Sequence, residues 1–66
     1  MTASIVELAE RRACGIIVRL LWDSQRRQTM VRYRDRKSRE TFLVDVPNDR
    51  ALEAFEHPNA FRPKAA

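Results

Sequence analysis

Three stretches of this chain alternate apolar and polar residues with a period of two, and a single strand register gathers nearly all their apolar side chains on one side. From Ile16 to Trp22, Ile16, Val18, Leu20 and Trp22 fall on one side, with Ile17, Arg19 and Leu21 on the other. From Thr29 to Asp35, Thr29, Val31, Tyr33 and Asp35 alternate with Met30, Arg32 and Arg34. From Thr41 to Val46, Phe42, Val44 and Val46 alternate with Thr41, Leu43 and Asp45. Such alternation marks β-strands. The connections, around Ser24–Arg27 and Arg36–Arg39, are short and polar, which favours antiparallel hairpins. Setting Asp23 opposite Gln28 and Asp35 opposite Glu40 gives the inner rows Val18–Tyr33–Phe42, Leu20–Val31–Val44 and Trp22–Thr29–Val46. The outer rows are then Ile17–Arg34–Thr41, Arg19–Arg32–Leu43 and Leu21–Met30–Asp45. A slip of one residue would invert both faces, so the pattern specifies its register.

The ends read as helices. Ser4 followed by Glu7 matches a capping box, Ile5, Leu8 and Ala9 recur at helical spacing, and Gly15 suits a left-handed helix terminus, which predicts a helix over residues 4–14. After the third strand, Pro47, Asn48 and Asp49 read as a turn with Asn48 or Asp49 as cap. A second helix follows, with Ala51, Leu52 and Phe55 at core spacing and Pro58 at its end. Phe61 is expected as an anchor and residues 62–66 as a frayed tail. The expected fold is α+β: one small domain over residues 1–66, a three-stranded antiparallel β-meander with an N-terminal and a C-terminal helix, the latter covering the apolar face.

A 66-residue chain buries only about 60% of its unfolded surface, so its core needs a supplement. Cys14 alone cannot form an internal disulfide, and Cys14 with His57 falls short of a zinc set, which leaves oligomerisation, with a homodimer as the simplest form. A lone cysteine fits a reducing, cytoplasmic setting. No apolar run approaches a membrane span and no signal-peptide pattern opens the chain, so a soluble, unprocessed protein without a membrane partner is expected. No catalytic constellation emerges. His57 lacks an orienting partner, Cys14 suits a small packed side chain, and Asp45 and Asp49 are explained as a surface carboxylate and a cap. One glycine cannot build a phosphate-cradling loop. The expectation is a non-enzymatic protein requiring neither cofactor nor metal.

Charge supplies the functional expectation. Residues 23–40 hold seven basic and three acidic side chains, a net +4 that equals the charge of the whole chain. Clustered cations concentrate anions where a scattered excess does not. In the proposed register Arg19 and Arg32 are cross-strand neighbours, a repulsive pairing that a bound anion would relieve. Arg26 and Arg27 lie at one end of the sheet and Arg36, Lys37 and Arg39 at the other, so a basic band with Arg34 runs from tip to tip. Electrostatic nucleic-acid binding through Arg19, Arg26, Arg27, Arg32, Arg34, Arg36, Lys37 and Arg39 is the first reading. Duplex backbone is its favoured form, because Trp22, Tyr33 and Phe42 fall on the inner face rather than on an open stacking surface. The alternative is a protein-interaction module or homodimer using Ile17, Leu21, Met30 and Leu43 on the same outer face.

The stretch from VRLLWD (from residue 18) through VDVPNDRALEAFEHPNAF (to residue 61) resembles short uncharacterised proteins of actinobacterial type, which share the strand–hairpin–strand pattern and a closing AL-x-AF-x-HP-x-AF segment. The resemblance carries over no functional residue. It implies that Ala51, Leu52, Phe55, His57, Pro58 and Phe61 fold back on the sheet as a unit.

Overall fold

In the computed structural model, which describes residues 4–63, the chain forms one four-stranded antiparallel sheet in the order β1-β2-β3-β4. The strands are β1 (Ile5–Ala13), β2 (Ile16–Asp23), β3 (Gln28–Asp35) and β4 (Thr41–Val46). A tight helical turn, Asn48–Arg50, leads into the single short helix α1 (Ala51–Glu56), and another turn, Pro58–Phe61, follows it. The described residues form a small α+β fold, but with four strands and one helix in place of three strands and two.

The correction lies at the N-terminus, where residues 4–14 were expected to be helical. Val6, Ala9, Arg11 and Ala13 pair with Trp22, Leu20, Val18 and Ile16, while Glu7, Glu10 and Arg12 pair with Leu21, Arg19 and Ile17. These are the two faces of a strand. The register shifts between Glu7 and Ala9, so Leu8 is an extra residue in a β-bulge. That insertion spaces the inner-face residues three, two and two apart and places Ile5, Leu8 and Ala9 at an apparent helical interval. Gly15 is not a helix terminus. Cys14 and Gly15, with φ of 52° and 80°, are the central pair of a two-residue hairpin turn, where type I′ geometry requires both residues in the left-handed region.

The β2–β3–β4 rows have the register read from the alternation, Val18–Tyr33–Phe42, Leu20–Val31–Val44 and Trp22–Thr29–Val46 included. The two longer hairpin loops share one construction. Asp23 Oδ1 accepts the amides of Gln25 and Arg26, and Asp35 Oδ1 accepts those of Lys37 and Ser38. Each loop then ends on an arginine of positive φ, Arg27 at 54° and Arg39 at 62°.

The inner face forms the core: Val18, Val31, Tyr33 and Val46 are buried with Ala54 of α1, and Leu20, Phe42, Val44, Phe55 and Phe61 pack around them. The helix presents Ala54 to the sheet and leaves Leu52 66% exposed, so Leu52 does not hold the core position that the spacing suggested. The expected cap is also absent. Asn48 turns back to β3, where its Oδ1 accepts from the Thr29 amide and hydroxyl and its Nδ2 donates to the Arg27 carbonyl. Arg11 closes the far end of α1 by donating to the Phe55 and Glu56 carbonyls, 2.9 Å each, with its guanidinium over the Phe55 ring. Arg62, expected in a frayed tail, lies over the Tyr33 and Phe42 rings and bonds Glu40 and Asn59. Residues 64–66 of that tail lie outside the described residues. No helix among the described residues is long and apolar enough to cross a membrane.

Candidate nucleic-acid interface

The outer face of the sheet is built from four cross-strand rows. Ile5 faces Asp23 and Gln28; then come Glu7–Leu21–Met30–Asp45, Glu10–Arg19–Arg32–Leu43 and Arg12–Ile17–Arg34–Thr41. Strand β1 thus sets two carboxylates, Glu7 and Glu10, beside Arg12 and Arg19. Arg19 Nε lies 2.7 Å from Glu10 and 3.3 Å from Glu7, and Arg12 Nε lies 2.9 Å from Glu10. The Arg19 and Arg12 guanidiniums hold the Glu10 carboxyl below its usual range. Arg19 therefore turns toward β1, and its repulsion with Arg32 is relieved from within the chain.

Arg26 is also engaged. Its guanidinium bridges Asp23, at 2.9 Å, and Asp45, at 3.0 Å, which ties the β2–β3 loop to β4 and holds both carboxyls below the usual carboxylate pKa range. The same group donates to Met30 Sδ and lies over it, and Met30 is only 2% exposed although it belongs to the outer face. The alternative apolar interface shrinks accordingly. Met30 is covered, Ile17 and Leu21 are half-buried, and Leu43 is the one of the four that stands open, at 55%.

Arg32, Arg34, Arg36, Lys37 and Arg39 have no acidic partner among the described residues, and Arg27 shares that state at the opposite end, about 25 Å away along the strands. Four of them converge. Arg32, Arg34, Arg36 and Arg39, with Asp35 and Thr41, line a groove of about 510 Å3 at the β3–β4 hairpin end. Asp35 does not neutralise it by an ion pair, because its carboxylate accepts the amides of Lys37 and Ser38, which keep it ionised to lower pH. A smaller recess of about 30 Å3 between Ile17, Arg19, Arg32 and Arg34 adjoins the groove. Lys37 lies over Gly15, and the Arg36 amide donates to the Gly15 carbonyl, so the two hairpin tips at this end are joined.

The eight basic residues singled out in the sequence thus separate into groups: Arg19 and Arg26 in ion pairs, Arg27 alone at one end, and the other five together at the opposite end. The residues that sequence reasoning missed are Glu7, Glu10 and Ile5, which the bulge concealed, and Thr41 in the groove wall. Among the described residues no cluster of His, Cys, Asp and Glu could hold a metal ion, and Cys14 is exposed as a free thiol. No protein-family model, curated protein or solved structure matches this chain.

Proposed function

We propose that this protein is a non-enzymatic binding module that holds nucleic acid by its phosphate backbone, through Arg32, Arg34, Arg36, Lys37 and Arg39. The observation that carries the reading is the groove of four arginines without acidic partners, on a face where Arg12, Arg19 and Arg26 all have them. Unpaired guanidiniums on a concave surface focus potential, and their planar forks suit phosphate oxygens.

Five phosphate contacts on a duplex give a plot of log affinity against log salt with a slope of about −4.5. Arg34→Gln with Arg36→Gln should flatten it by about 2, and Arg19→Gln with Arg26→Gln, whose cations are already paired, by less than about 1. Undetectable binding at about 0.15 M salt would remove the reading. A cytoplasmic location suits the exposed thiol of Cys14.

A second reading, a homodimer or protein-docking module, draws on β1. This edge strand pairs on one side only, and Ile5, Val6 and Leu8 are exposed along it, the kind of edge that recruits another strand. Sedimentation at micromolar concentration tests it, and a strict monomer would remove it.

A further inference from the structure

Arg32 and Thr41 belong to two concavities at once. On one side they line the arginine groove. On the other they border a concavity of about 600 Å3 whose remaining lining is Ile5, Leu21, Phe42 and Leu43. Ile5 is 50% exposed and Leu43 stands open beside Arg32, its cross-strand neighbour. The outer face therefore carries an unpaired cationic groove continuous with an open apolar one.

A duplex would use only half of this surface, because it offers phosphates outside and keeps its base faces stacked within. A single strand presents phosphates and unstacked bases side by side. Proteins that hold one combine a basic track with surfaces on which bases lie, guanidinium planes among them. In the row Arg32–Leu43 a guanidinium and an isobutyl group stand opposite each other, so one nucleotide can meet both within a single row. The next outer-face row, Arg34–Thr41, follows about 7 Å along the strands and continues into the loop cations Arg36 and Arg39.

We infer that the outer face accommodates single-stranded nucleic acid in preference to duplex, with phosphates on Arg32, Arg34, Arg36 and Arg39 and bases against Leu43, Leu21 and Ile5. The inference rests on the nucleic-acid reading above and departs from its duplex form. Leu43, Leu21 and Ile5 form the part of the platform open to bases, since Phe42, which also borders the concavity, has its ring stacked on Tyr33 at 4.9 Å. Base contacts therefore contribute modestly and without sequence preference.

The test is fluorescence anisotropy at low salt with a labelled oligothymidylate of about 12 nucleotides and a mixed-sequence duplex of the same length. The single strand should bind more tightly. Leu43→Ser, on an exposed side chain whose loss leaves the fold intact by circular dichroism, should weaken the single strand about five-fold and leave the duplex unchanged. Arg34→Gln with Arg36→Gln should weaken both. Duplex binding as tight as single-strand binding, with Leu43→Ser without effect, would overturn this inference and leave the backbone reading standing. Failure of both probes would remove the reading on which it rests. A homodimer abolished by Leu43→Ser would also overturn it, because a second copy would then occupy the apolar half.

Discussion

Replacing Cys14 with asparagine should stabilise this protein. Cys14 is the first central residue of the β1–β2 turn, and its φ of 52° lies where the Cβ of an L-residue crowds the following carbonyl, at a cost of roughly 1–2 kcal/mol. Gly15, at φ 80°, escapes that cost at the second position. Asparagine tolerates the left-handed region, and Asn-Gly is the preferred pair for this turn. Recovering about half of the penalty gives about 0.5–1 kcal/mol. For so small a domain each kcal/mol moves the midpoint by about 4–8 °C, so Tm should rise by about 2–8 °C. The thiol is exposed, so little packing is lost with it. Thermal melts by circular dichroism, with reductant present, would compare the parent, Cys14→Asn and Cys14→Ala. The alanine variant keeps the strained φ and should melt close to the parent. An asparagine variant melting at or below the parent would refute the turn, and with it the strand assignment of residues 5–13. A helix ending there would hold Cys14 in the right-handed region, where asparagine brings no gain.

Val31 is fully buried at the centre of the inner face, so Val31→Ala should cost about 2–3 kcal/mol in transfer and cavity energy and unfold much of the population, whereas Leu52→Ala on the exposed side of α1 should stay within about 0.5 kcal/mol by denaturant titration. Glu10, Asp23 and Asp45 are all held more acidic by arginine hydrogen bonds, so the unfolded chain binds more protons and their contribution is lost as pH falls. Tm should be level above the ordinary carboxylate values of 3.8 and 4.5 and fall below them, less steeply in Asp45→Asn; a Tm that rises on acidification would contradict the ion pairs. Gly15→Ala should destabilise by roughly 1–2 kcal/mol from backbone strain alone, since the nearest atom to an added Cβ is Lys37 Cγ at an unstrained 3.8 Å; a parent-like melt would contradict the positive φ.

The meander from Ile16 to Val46 could be read in the sequence because nothing interrupts its alternation and because Asp23 and Asp35 open loops of equal length. Strand β1 could not. The bulge at Leu8 shifts the phase of the pattern midway, and Ser4 with Glu7 imitates a capping box. Missing β1 had an electrostatic consequence as well: without Glu7 and Glu10 alongside, Arg19 seemed a free cation. Arg26 was misjudged for a different reason. Its reach across to Asp45 depends on where a long side chain settles over Met30, and no spacing rule encodes that. The cations that survive as a group, Arg32 to Arg39, are those whose neighbouring carboxylates are occupied elsewhere, Asp35 by its own loop and Glu40 by Arg62.

The common construction of the two longer loops makes their side chains portable. In both, an aspartate gathers the amides two and three residues on, four residues intervene, and the last is a left-handed arginine. Exchanging Ser24–Arg27 with Arg36–Arg39 would transplant side chains between two scaffolds of one backbone shape. The loops carry only part of the sheet's polarity, because Arg32 and Arg34 belong to β3 and Asp23 and Asp45 to β2 and β4, so such an exchange tunes how strongly each end attracts anions while the fold stays as it is.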